Sequence, residues 1–172
     1  MGRDKSRLRL GGRTLTAHLR GRVAALGVPL RVLRRDLVPR CGPLGGVYSA
    51  LRTTRASGVL FLACDMPFVP ISLLQRLVAR FRRRGRALFT INAGVRGFPF
   101  VVPRAGLPVV ERSLAHRQFA LHTLADQLEA DDVAALPAEA NGLFNINTRA
   151  EWSQARARWR QTAGSRDRGG GR

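Results

Sequence analysis

Val59-Leu60-Phe61-Leu62-Ala63-Cys64 is an unbroken apolar run that stops at Asp65-Met66-Pro67. Side chains of a strand alternate between its two faces, so a short run that is apolar at every position fits a strand with both faces covered. The run therefore predicts a central, parallel, fully buried strand with Asp65 at its carboxyl end. Helices are needed to cover it, and the neighbouring sequence supplies them. Ile71 to Arg84 is amphipathic at helical spacing and stops at Gly85, and Ala87 to Asn92 reads as the next strand. A strand-helix-strand unit of this kind predicts an α/β sandwich.

The remaining segments extend the alternation. Leu15, Leu19, Val23 and Leu26 predict a first helix, followed by a β-like run from Val28 to Leu33. Gly42-Pro43-Leu44-Gly45-Gly46 opens a helix to about Arg55, with proline just inside its start. Further on, strands are expected at Phe98 to Val102 and Val133 to Leu136. Helices are expected at Leu107 to Leu114, Phe119 to Glu129 and Arg149 to Arg160. At 172 residues and 45% hydrophobic content the chain suits one domain, assigned to 1–160. The basic, glycine-rich segment 161–172 is expected to be a disordered tail.

Composition narrows the function classes. The longest apolar stretch is far short of the roughly 20 residues that span a bilayer, and the N-terminus is charged, so a cytoplasmic protein without a membrane role is expected. Cys41 and Cys64 form neither a CxxC pair nor a disulfide framework. His18, His116 and His122 lack metal-ligand spacing and a partner nucleophile. The formal charge of +19 suits anionic partners. All but Lys5 of the 30 basic residues are arginine, which also suits a coding bias. Arg82-Arg83-Arg84 reads as solvated charge at a helix end, and no aromatic-rich surface accompanies it, so nucleic acid is not expected as a partner.

A few residues carry the chemistry that is left. A carboxylate at the carboxyl end of a buried strand lies where open α/β sheets bind ligands, and it suits a hard cation such as Mg²⁺. Asp65 is the candidate, although an aspartate there also caps turns. Lys5 offers a compact ammonium for the charge that develops on a pyrophosphate leaving group, or is an ordinary surface lysine. Gly42, Gly45 and Gly46 permit close backbone approach at a helix N-terminus, a weak signal by itself. Asn145 and Asn147 alternate in Asn145-Ile146-Asn147-Thr148 and suit one side of a cleft, while Thr148 also reads as the cap of the next helix.

Taken in order, MGRDK, GPLGG, LACDMP and NINT resemble the serial motifs of the MobA-like nucleotidyltransferases, which include the molybdenum cofactor guanylyltransferases. The resemblance spans almost the whole chain. It implies a Rossmann-like three-layer α/β/α sandwich with a mostly parallel sheet. The implied reaction joins GMP from GTP to the phosphate of molybdopterin with Mg²⁺ as cofactor and releases pyrophosphate. Matched by position, Lys5, Asp36, Gly42 and Asp65 would bind the nucleotide, and Lys5 and Asp65 would act in catalysis. Asp65 would also hold the metal, and Asn145 and Asn147 would bind the pterin substrate. Maturation proteins of molybdoenzymes are the macromolecular partners it suggests.

The chain departs from the family pattern in three places. It starts at the methionine inside the first motif, so the expectation is a first strand and phosphate loop missing from the sequence, through a start assigned too far downstream. The interval between the first helix and Val28 lacks a strand and short helix. Arg149 follows NINT in place of proline, and Phe98-Pro99 stands where histidine-proline is common. Transfer of another nucleotide, another phosphate acceptor, and an inactive remnant that keeps a nucleotide or pterin site are the alternatives.

Overall fold

A computed structural model describes residues 8–167. The chain starts with a small hairpin, β1 (Arg9–Leu10) and β2 (Arg13–Thr14), followed by α1 (Leu15–Ala24) and α2 (Gly42–Thr53). Next come β3 (Gly58–Phe61), α3 (Ile71–Arg84), β4 (Leu88–Asn92) and β5 (Val95–Pro103). A short 3₁₀ turn, Arg104–Gly106, leads into α4 (Leu107–Ala115) and α5 (Leu121–Gln127). The chain closes with β6 (Asp131–Ala134), α6 (Pro137–Ala140) and α7 (Arg149–Asp167), which runs past the end expected at Arg160.

The main sheet has the order β3-β5-β4-β6. β5 pairs antiparallel with both β3 and β4, and β4 pairs parallel with β6. Three strands thus run one way, and the reversed β5 between them makes two of the three ladders antiparallel. The reversal comes from a two-residue connection, Ala93-Gly94, in which both residues have positive φ (48° and 78°). That geometry is the tight hairpin turn whose twist matches the strands it joins. Alanine in the first position hides the turn from a sequence reading.

Two expected strands need correction. Val28 to Leu33 forms no strand, because a strand forms only against a partner edge and this segment packs instead through Val28 onto the α1 and α3 cluster. The Val59 to Cys64 run is not a central parallel strand. Its β part ends at Phe61, among the described residues it pairs only with β5, and Gly58, Val59 and Leu60 are half-buried.

Helices cover both sheet faces, as the alternation requires. On one face Phe61, Phe89, Phe100 and Val102 meet Leu44, Val47 and Leu51 of α2, Val110 of α4 and Leu124 of α5. On the other, Leu88, Val101 and Val133 meet Leu73 and Leu77 of α3. Register places Phe100 between Phe61 and Phe89 across the strands. Their rings stack at centroid distances of 5.0 and 4.6 Å. Such pairs add to the burial term, and truncating a core phenylalanine costs roughly 3–5 kcal/mol.

Ion pairs fasten the sheet edge. Asp131 at the start of β6 accepts from Arg80 at 3.1 Å and Arg84 at 2.9 Å, so one member of the arginine run expected to be solvated is tied down. Glu139, buried in α6, accepts from Ser72 at 2.7 Å, Arg76 at 3.1 Å and the Leu136 amide at 2.9 Å. These bonds satisfy a carboxylate that burial would otherwise penalise.

Candidate active site

The turn after β3 is held from both sides. Met66 N–H donates to the Ala63 carbonyl at 3.2 Å, and Met66 and Val69 are buried. Arg22 of α1 donates from Nε to the Pro67 carbonyl at 2.9 Å. Cys64 and Asp65 are left at the crest, Cys64 exposed and Asp65 half-buried. The Ile146 amide donates to the Asp65 carbonyl at 3.0 Å, which brings the Asn145-to-Thr148 segment beside the aspartate.

Asp65 lines a cavity of about 810 Å³ with Ala63 and Cys64, the start of α1 (Leu15, Thr16, Ala17), and Val32 and Leu33. Arg20 and Arg34 add positive charge to its wall. Thr14 caps α1 by accepting from the Ala17 amide at 3.2 Å, and its residues line the cavity too. Helix N-terminal amides, two guanidiniums and one carboxylate form a donor-rich basin that suits a phosphorylated ligand accompanied by a hard cation.

The expected site residues fall into several groups. Asp65 is in the cavity wall. Asn145 and Asn147 are both exposed while Ile146 between them is buried, so the expected alternation holds without a strand. Glu151 accepts from the amides of Asn147 and Thr148 at 2.7 Å each, and its own amide donates to Thr148 Oγ1 at 3.1 Å. That capping box explains Thr148 and starts α7. Asp36 and Gly42 do not line the cavity. Asp36 stands instead over the first turn of α2, where a Cβ on Gly45 would lie 3.0 Å from Asp36 Oδ2 and 2.7 Å from the Val38 carbonyl oxygen. Only glycine allows that approach. Lys5 lies outside the described residues.

Sequence reasoning missed Arg20, Arg34 and Thr16. Thr16 and Arg20 share one face of α1 by their four-residue spacing, a usable signal. Arg34 carries none, because it sits in a segment without regular structure.

A cavity at the carboxyl end of a strand, in an α/β sandwich with an acid and basic groups on its wall, defines the ligand-binding α/β class. Residues 1–133 match the MobA-like NTP transferase domain, and the chain belongs to that family. It is 31% identical over 139 residues to the molybdenum cofactor guanylyltransferase of Pseudomonas putida, with 66% of this chain and 69% of that protein covered. It is 26% identical over 114 residues to a probable molybdenum cofactor guanylyltransferase of Flavobacterium johnsoniae, with 66% of this chain covered. That match spans 60% of the Flavobacterium protein's length. The fold is shared with molybdopterin-guanine dinucleotide biosynthesis protein A of Archaeoglobus fulgidus, at a TM-score of 0.72 and 18% identity, over 91% of this chain and 90% of that one.

Proposed function

We propose that the chain transfers GMP from GTP to the terminal phosphate of molybdopterin and releases pyrophosphate. The observation that carries this reading is the hydrogen bond from Ile146 to Asp65, which joins two of the family's motifs at the edge of one cavity. In the proposed reaction an acceptor phosphate oxygen attacks the α-phosphorus of GTP in line. The bond to the β-phosphate oxygen breaks, and its electrons leave with pyrophosphate.

This chain's residues would contribute mainly position and charge. Arg20, Arg34 and the amides of α1 would draw in the triphosphate, Lys5 would meet the leaving group, and Asn145 and Asn147 would orient the acceptor. Asp65 is one hard oxygen donor, and no cluster of three metal-binding side chains occurs among the described residues. That set fits Mg²⁺, which binds through one or two carboxylates together with substrate phosphates. Bound there, the ion would supply charge neutralisation for the pyrophosphate. No helix among the described residues is long and apolar enough to cross a membrane; the use of GTP in the proposed reaction places the work in the cytoplasm.

Pyrophosphate release is measured with Mg²⁺ and molybdopterin, using GTP, CTP or ATP, for the chain and for Asp65→Asn. Acceptor-dependent release that prefers GTP and is lost in the variant is expected. A preference for CTP or ATP would reassign the nucleotide, and no release with any of the three would overturn the transfer reading. Lys5→Ala should mainly lower kcat.

A further inference from the structure

A second concavity of about 480 Å³ lies between the β1–β2 hairpin and α7. Its lining is Arg9, Leu10, Gly11, Trp152, Arg156, Trp159 and Arg160. These include both tryptophans of the chain and three arginines, with no carboxylate among the described residues. Trp152 and Trp159 are seven residues apart on α7, with Arg156 between them on the same helix face. Leu10 at the base is buried.

The pocket is built rather than incidental. Trp159 packs edge-on against His18 at 4.6 Å, and His18 Nε2 hydrogen-bonds the Leu10 carbonyl at 2.7 Å. Gly11, at φ +55°, lies so close to the indole that a Cβ there would stand 2.0 Å from Trp159 Nε1. Arg9 is drawn along the hairpin by a 3.1 Å bond from Nη1 to the Gly12 carbonyl. Three exposed guanidiniums around one cavity give it a positive potential that favours an anion, and two flat indoles offer stacking surface. Arginine forks match phosphate oxygens, and they also stack on planar rings.

We infer that this pocket binds the phosphomonoester of a planar heteroaromatic compound, a nucleoside monophosphate or a phosphopterin. The volume suits one such molecule. A nucleic acid strand would ask for a long basic track with repeated stacking platforms, and this is one short, open concavity with two half-buried indoles and three exposed arginines. The inference goes beyond the proposed transfer reaction and does not depend on it.

Both tryptophans lie in the pocket, so intrinsic fluorescence reports on it without a label. Emission is titrated at low salt with GMP, neopterin monophosphate, guanosine, ribose 5-phosphate and a ten-nucleotide single-stranded DNA. Saturable quenching is expected from GMP or neopterin monophosphate, and the tighter of the two identifies the source. Guanosine and ribose 5-phosphate should each bind at least about tenfold more weakly, since each keeps only one of the two interactions. Arg156→Gln/Arg160→Gln should weaken binding by about tenfold or more with an unchanged melting temperature. Trp159→Phe should retain binding, read by the remaining tryptophan, and Asp65→Asn should leave it unaltered. The inference is overturned if ribose 5-phosphate binds as tightly as GMP, or if the arginine double variant binds like the parent protein. It is equally overturned if Asp65→Asn abolishes quenching, if the DNA binds more tightly than either monophosphate, or if nothing quenches. Turnover is not read here, so the outcome is separate from that of the transfer reaction.

Discussion

The backbone amide of Ile146 donates to the carbonyl of Asp65 at 3.0 Å, and the Ile146 side chain is fully buried among Leu10, Leu15 and Ala155. One residue therefore fastens the exposed asparagines on either side of it to the aspartate turn. Ile146→Ala should cost roughly 2–5 kcal/mol in urea unfolding, because a buried aliphatic side chain is lost. Turnover should fall with it. Asn145→Ala should lower turnover while stability stays within about 0.5 kcal/mol, since Asn145 is exposed. Equal stability loss in both variants would contradict this division.

Glu151 binds two amides ahead of α7, at 2.7 Å each. Glu151→Ala should destabilise by about 1 kcal/mol, and Glu151→Gln should recover part of the loss because its carbonyl oxygen still accepts. Chemical denaturation of the three proteins distinguishes them. Identical midpoints would remove the capping role.

Hydrogen bonds from Arg80 and then Arg84 hold the Asp131 carboxyl below the usual carboxylate range. A group with a depressed folded-state pKa stabilises the fold above its unfolded pKa and loses that contribution as the pH falls. Asp131→Asn should therefore melt at a lower temperature than the parent at pH 7, and the gap should narrow from about pH 4 downward. A gap that is constant from pH 7 to pH 2.5 would show that charge plays no part.

Gly11 combines a positive φ with close contact to Trp159. Gly11→Ala should cost roughly 1–3 kcal/mol through backbone strain and displacement of the indole. Tryptophan emission should move to longer wavelength as the ring becomes wetter. An unchanged spectrum with unchanged stability would mean that the hairpin moves away at no cost.

Local chemistry made some features legible in the sequence. The helix from Ile71 to Arg84 was readable because its apolar spacing and terminal glycine act within one segment. The GPLGG helix start was readable for the same reason, whereas the strand expected to run up to Asp65 ends at Phe61 and leaves Asp65 in the turn beyond it. The exposed-buried-exposed alternation of Asn145, Ile146 and Asn147 was readable too, because it survives even without a strand.

Other features depend on partners far along the chain. Whether Val59 to Phe61 is central or at an edge is decided by which strands pair with it, and its composition is the same in either place. Val28 to Leu33 has strand-like composition yet finds no edge to pair with. The cavity wall around Asp65 takes Arg20 from a helix and Arg34 from an irregular segment, and the second pocket joins Arg9 to Arg160 from opposite ends of the chain. The sequence alone determined the α/β class, every helix except α6, and the aspartate turn, since these follow from spacing and local hydrogen bonding. Strand order, the reversed β5 and the convergence of distant arginines were decided only by tertiary packing, because hydrophobic burial is non-directional and many pairings satisfy the same local pattern.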